Sequence, residues 1–142
     1  MSGLRIRPIA NGDYSTVATL FQSIGFDSDS TAIAHRLKCG EKGGDMTLVA
    51  QLQGGVAGCM GLARMHPAHR EHPIGRITVL VVAEDQRGLG IGKALVGAAM
   101  ELFTTQDCTL IEVTSRFELE QAHGFYEALG FEKTSVRLAR HL

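Results

Sequence analysis

Ile74-Gly75-Arg76-Ile77-Thr78-Val79-Leu80-Val81-Val82 leads into Ala83-Glu84-Asp85-Gln86-Arg87-Gly88-Leu89-Gly90-Ile91-Gly92-Lys93, and then into Ala94-Leu95-Val96-Gly97-Ala98-Ala99-Met100-Glu101-Leu102. The first segment is rich in β-branched and other apolar residues, the composition of a buried strand. Gly88, Gly90 and Gly92 then recur at every second position. The third segment is apolar at Ala94, Leu95, Ala98, Ala99 and Leu102, the i, i+4 rhythm of a helix with one buried face. A strand therefore feeds a glycine loop that opens a helix. Such a loop aims unpaired N–H groups, and the positive end of the helix dipole, at an anion. Glycine suits it because a Cβ blocks the close approach of a phosphate and disfavours positive φ.

Two phosphate-binding patterns fail here. The Walker loop requires Ser or Thr after its lysine, and Ala94 follows Lys93. The dinucleotide fingerprint requires its third glycine where Lys93 stands.

Composition narrows the class further. A chain of 142 residues is expected to be one domain, 1–142, with room for its own core. A net charge of −1 supplies no basic field for nucleic acid. Cys39, Cys59 and Cys108 show no C-x-x-C spacing, and an odd count points to free thiols in a reducing, cytoplasmic setting. The first residues lack a signal-peptide pattern, and no stretch approaches the roughly 18 apolar residues of a membrane span. Neither nucleic acid nor membrane is expected as a partner.

Along the chain, Leu4–Ile9 alternates as a strand, and Asn11-Gly12-Asp13 caps a helix carrying Val17, Leu20, Phe21 and Ile24, which Gly25 ends. Residues Asp27–Ser30 offer a second N-cap, for a helix with Ile33, Ala34 and Leu37. Asp45–Leu52 and Val56–Arg64 form strands joined by the turn Gln53-Gly54-Gly55. A polar loop, Met65–Pro73, precedes the central strand at Gly75–Val82. After the central helix come a strand at Thr109–Thr114, a helix near Leu119–Leu129 stopped by Gly130, and one or two strands within Phe131–Ala139. The order is β-α-α-β-β-β-α-β-α-β, a mixed α/β fold with about four helices.

Arg87-Gly88-Leu89-Gly90-Ile91-Gly92 resembles the R/Q-x-x-G-x-G/A signature of the GNAT family of N-acetyltransferases. Ala122-His123-Gly124-Phe125-Tyr126-Glu127-Ala128-Leu129-Gly130-Phe131 resembles that family's A-x-x-[FL]-Y-E-x-x-G-F element. The two lie in the expected order on the expected elements. The resemblance implies the acyl-CoA N-acyltransferase fold, with a bulged central strand splayed from its neighbour. It implies acetyl-CoA as cosubstrate, its pyrophosphate on Arg87, Gly88, Leu89, Gly90, Ile91 and Gly92. The arm would pair with the backbone at Leu80 and Val82, where an N–H also polarises the thioester carbonyl; an ordinary buried strand is the alternative.

By the same resemblance Tyr126 is the acid. A reference thiol has a pKa near 8.5 and a phenol about 10, so a neutral tyrosine can protonate a departing thiolate. Packing helix against sheet is its other reading. A primary amine is neutral about once in 10³ at pH 7, so its proton needs an acceptor. Glu84 and Glu112 are the candidate bases, with His66, His69 and His72 behind them; a solvated strand carboxylate is the alternative for Glu112. The histidine run also has ligand-type side chains, but Pro67 and Pro73 favour an irregular loop and no second ligand cluster follows, so no metal is expected. His123 reads as packing.

The words Val113-Thr114-Ser115 and Ala122-His123 with Phe125-Tyr126 resemble a subgroup that includes aminoalkylphosphonate acetyltransferases. Arg116 would then grip an anionic tail on a small-molecule amine, or else be a surface charge. Leu119 stands where many relatives carry asparagine. No cysteine sits at a nucleophile position, so direct attack in a ternary complex is expected. A protein or peptide acetyltransferase and a non-catalytic CoA-binding module are the rival readings. An apolar C-terminal strand would give a homodimer its pairing edge.

Overall fold

The structure, a computed structural model, describes residues 3–116 and 118–142. One five-stranded sheet runs in chain order: β1 (Leu4–Pro8), β2 (Met46–Leu52), β3 (Gly55–Met65), β4 (Ile74–Val82) and β5 (Leu110–Val113). Neighbours are antiparallel except β4 and β5, which are parallel. Helices α1 (Tyr14–Ser23) and α2 (Ser30–Lys42) connect β1 to β2, α3 (Ile91–Thr105) joins β4 to β5, and α4 (Glu120–Ala128) follows β5. The expected mixed α/β order holds as far as α4, with element ends shifted by a residue or two.

Strand alternation divides the core into two layers. Val17, Ala18, Leu20 and Ile33 of α1 and α2 cover Val49, Cys59 and Val81 on one face. Ile91, Leu95, Val96, Ala99 and Phe103 of α3 cover Leu48, Ala50, Met60, Leu62 and Ile77 on the other. Phe125, Tyr126 and Leu129 pack against this second layer, so α4 shares a face with α3. The β2–β3 turn is tight: Gln53 and Gly54 take φ of 51° and 85°, the positive values that a two-residue hairpin demands.

Asp13 departs from its expected capping role. It accepts no hydrogen bond from α1; its carboxylate takes the Arg7 guanidinium at 2.7 and 3.0 Å and the Ala10 N–H at 2.8 Å. The Arg7 hydrogen bonds hold the Asp13 carboxyl below the usual carboxylate range. A short 3-10 helix at Asn11–Asp13 turns the side chain back.

The C-terminal strand is not formed. Residues after α4 carry no strand, and Val136 and Leu138 stand 68% and 91% exposed. Alternation gives Phe131–Ala139 the pattern of a strand, but a strand also needs a partner for its peptide groups, and this segment pairs with none among the described residues.

Gly75 lies directly beneath Phe103 of α3, and a Cβ there would overlap the ring. Gly75→Ala is expected to destabilise the fold by about 1–3 kcal/mol, as overpacking does. Denaturant titration would show a lower midpoint, and an unchanged midpoint would contradict this packing.

Candidate active site

β4 is bonded to β3 along its length but to β5 along only part of it. The parallel register runs from Ile74↔Leu110 to Ile77↔Val113 and stops, leaving Thr78–Val82 with no paired strand on that side among the described residues. The break coincides with a bulge. Gly61 pairs with Val79 and Leu62 with Ile77, so Thr78 is the extra residue. Its hydroxyl and the Val79 side chain occupy the space a side chain at position 61 would need.

The ladder alternation gives the direction of the free groups. Ala83 N–H donates to the Ala57 carbonyl at 2.8 Å, so Ala83, Val81 and Val79 turn toward β3. Leu80 and Val82 therefore turn their peptide groups to the open side. The Arg87 guanidinium reaches the Val82 carbonyl there at 3.3 Å. The expected splay is present, and the bulge lies two residues before Leu80.

At the end of β4 a short 3-10 helix, Glu84–Gln86, leads to the glycine loop. Gly88 and Gly90 take φ of +79° and +83° with open space where a Cβ would stand. Gly90 is the N-cap of α3, and no side chain fills the cap. The first intrahelical bond is Ala94 N–H to the Gly90 carbonyl at 3.0 Å, leaving the N–H groups of Ile91, Gly92 and Lys93 as free donors of the first turn. α2 is the contrast: Asp29 caps it by accepting from Ala32 N–H at 2.8 Å. The loop thus leaves an open, positively polarised helix start, a geometry that suits an anion. Gly92 does a different job, since a Cβ there would press on the Phe125 ring at 3.2 Å. It lets α4 close on the first turn of α3.

Tyr126 follows Phe125 on α4, half-buried, in edge-to-face contact with Phe125 at 5.1 Å and Phe131 at 5.4 Å. It packs on the same layer as Leu80 and Val82. Burial raises its pKa, so the phenol stays protonated beyond the usual tyrosine value. Such a group donates a proton rather than accepting one.

The candidate bases are placed apart. Glu112 binds Arg76 through one oxygen, at 2.6 Å from Nη2 and 2.8 Å from Nε, one rung before β5 ends. Glu84 is exposed in the turn between β4 and the glycine loop. Arg116 is exposed in the loop after β5, and Leu119, the N-cap of α4, is exposed with no side-chain cap bond.

The histidine loop lies elsewhere. His69 and His72, with Arg70, Glu71, Ile74, Thr109 and Leu110, line an opening of about 290 Å³ at the N-terminal ends of β4 and β5. Ligand crevices of open α/β sheets lie at the opposite ends of the strands. His72 Nδ1 faces Asp107 at 3.7 Å, beyond hydrogen-bond reach. No group of three or more His, Cys, Asp and Glu side chains converges among the described residues. Cys59 is wholly buried, and burial pushes its thiol up to about 12. Burial raises Cys108 as well, and Cys39 is exposed on α2.

Sequence reasoning missed a second opening. A cleft of about 210 Å³ lies on the α1–α2 face, between α2 and the bulge, and Thr78, Val79 and Gly61 form part of its wall. Arg36, Glu41, Asp45 and Thr47 supply its polar groups. The lack of a side chain at Gly61 and the i, i+4 spacing of Leu37 and Glu41 were the signals for it.

Tyr126 is expected to ionise above about pH 10, the ordinary tyrosine value. The stability that its neutral, buried phenol confers is full below that value and is lost as pH rises past it. Ultraviolet titration of tyrosinate in a Tyr14→Phe background reads this directly, and ionisation at or below the ordinary value would contradict the burial.

The family model for the acetyltransferase (GNAT) family matches residues 14–131. Aminoalkylphosphonate N-acetyltransferase of Salmonella typhimurium is 30% identical over 94 residues, covering 66% of this chain and 61% of that protein. The match thus spans about three-fifths of the relative's length. The structure of an acetyltransferase from Trypanosoma brucei superposes with a TM-score of 0.86 at 25% identity, covering 98% of this chain and 99% of that one. Glucosamine-6-phosphate N-acetyltransferase from Arabidopsis thaliana superposes with a TM-score of 0.85 at 18% identity, covering 97% of each chain, a likeness of fold. The chain is a member of the acetyltransferase (GNAT) family.

Proposed function

We propose that this protein is an N-acetyltransferase that moves acetyl from acetyl-CoA to the primary amine of a small molecule, by direct attack in a ternary complex. One observation carries the reading: the unpartnered edge of β4 runs from the Thr78 bulge to the open N-terminus of α3. A linear molecule with a peptide-like arm and a diphosphate matches both halves of that track. The amides of the Gly88–Gly92 loop would take the diphosphate, and Arg87 would move from the Val82 carbonyl to meet it. Leu80 and Val82 would exchange hydrogen bonds with the arm.

Bound acetyl-CoA supplies an activated acyl group, and the protein's share is orientation, water exclusion and one proton. Tyr126 O–H would donate to the departing sulfur, which its burial keeps it able to do across the neutral range. The amine's proton would leave by water or by a carboxylate. Glu112 carries its Arg76 partner into that role, and Glu84 stands in the 3-10 turn beyond the end of β4. A cytoplasmic location and a homodimer complete the proposal, and the exposed apolar C-terminal residues give a dimer its contact surface.

Calorimetric titration with CoA is expected to show one site per chain, weakened by Gly90→Val, whose side chain opposes the left-handed cap. No binding at any practical concentration would overturn the reading. Tyr126→Phe is expected to bind acetyl-CoA as the parent does and to turn over about 10–10³-fold more slowly, the range of acid–base groups. Unchanged turnover would remove the phenol from the chemistry.

A further inference from the structure

We infer that the outer edge of β5 is paired by the C-terminal tail of a second copy of this chain, each copy lending its tail to the other. The inference rests on the homodimer proposed above and names how the two copies are joined.

The edge comes first. β5 ends the sheet, and its side away from β4 pairs with no strand among the described residues. Ile111 stands opposite Gly75, beneath Phe103, and Val113 opposite Ile77, so both face the layer of α3. They border that core without entering it, and no residue of β5 or α4 is buried. Phe125, Leu129 and Phe131 are half-covered in the same way. The core layer is therefore unfinished on the β5 side. An edge with open peptide groups and open apolar side chains is what strand addition completes.

The tail is the other half. Residues 132–142 are exposed throughout and form no strand. Val136, Leu138 and Leu142 fall on one face of an extended chain, and Ser135, Arg137, Ala139 and His141 on the other. That is a strand with one apolar face. Laid beside β5, it would add Val136 and Leu138 to the face that already carries Ile111 and Val113.

The way the tail leaves α4 points to another copy. Gly130 takes a φ of +94°, and Phe131 N–H donates to the Tyr126 carbonyl at 3.1 Å. The Phe131 ring meets Tyr126 at 5.4 Å, and Lys133 Nζ lies 3.8 Å from Glu127. So anchored, the tail does not pair with its own β5. One chain thus carries both an unused edge and an unused strand. Two copies about a two-fold axis satisfy both at once, and the assembly closes at two.

Charge selects the edge over a second tail. Residues 133–140 carry Lys133, Arg137 and Arg140 and no acid, whereas residues 118–128 carry Glu118, Glu120 and Glu127 and no Lys or Arg. Arg137, Arg140, Glu118 and Glu120 enter no ion pair among the described residues. A basic strand beside an acidic helix is favoured, and two basic tails laid together would repel.

Leu138→Asp tests the contact, because Leu138 is clear of its own chain's core and the change spares the fold of one copy. Sedimentation equilibrium is expected to show a dimer for the parent. Its dissociation constant should rise about 10–100-fold in Leu138→Asp, as an unpaired charge in an apolar contact requires. Mixed dimers of ¹³C-labelled and unlabelled chains are expected to give isotope-filtered contacts from Val136 and Leu138 of one copy to Ile111 and Val113 of the other. A parent that stays monomeric would overturn the inference together with the proposed dimer. A dimer equally tight in Leu138→Asp would overturn the exchange alone, as would tail contacts confined to one copy.

Discussion

Peptide groups that no strand pairs, among the described residues, along one side of β4 are the constraint on which the rest of this molecule turns. β3 bonds the strand throughout, whereas β5 bonds it only from Ile74 to Ile77. Inside a closed sheet, the N–H and C=O groups of Leu80 and Val82 would be bonded to a neighbour. Here they are held in strand geometry by β3 and kept open by the early end of β5. The bulge at Thr78 marks the change, and Gly61 beneath it gives the displaced side chains somewhere to sit. The opening is therefore built by pairing on one side and by the absence of one side chain on the next strand.

The helix ends repeat the same logic. α2 satisfies its first turn with Asp29, while α3 begins at a glycine whose positive φ no capping side chain shares. Identical backbone chemistry is closed in one helix and left available in the other. The glycines of the loop are not equivalent: Gly88 and Gly90 give the turn its shape, and Gly92 gives Phe125 its place against α3. That contact brings α4, and with it Tyr126, to the layer that Leu80 and Val82 share.

The two faces of the sheet differ in character. The α3–α4 face holds a phenol kept protonated by burial, and the α1–α2 face holds a cleft lined by Arg36, Glu41, Asp45 and Thr47. Glu112 and Arg76 neutralise one another on neighbouring strands one rung short of the gap. A carboxylate so paired is held in position by its neighbour's guanidinium.

Much of this was legible in the chain itself, because it is local. Apolar runs, helical spacing and glycine punctuation mark the order of elements through α4. The Arg87–Gly92 loop shows its turn through glycines that only a short stretch of backbone needs. Tyr126 stands out by the words around it, on a helix the spacing already marks. Other features come from residues far apart in sequence. The Thr78 bulge exists only in register with Gly61, and the Arg76–Glu112 pair only in register across the β4–β5 crossover. The cleft exists only because α2 lies over the sheet at that point. The tail beyond Gly130 shows the converse: its alternation spells a strand, but pairing is a property of two segments, and none of the described residues pairs with it. The sequence by itself determined the elements through α4 and the glycine turn that opens α3, since each is written in neighbouring residues. Tertiary structure alone decided where the sheet opens and which charges face the opening, because those depend on register and on the seating of one layer upon another.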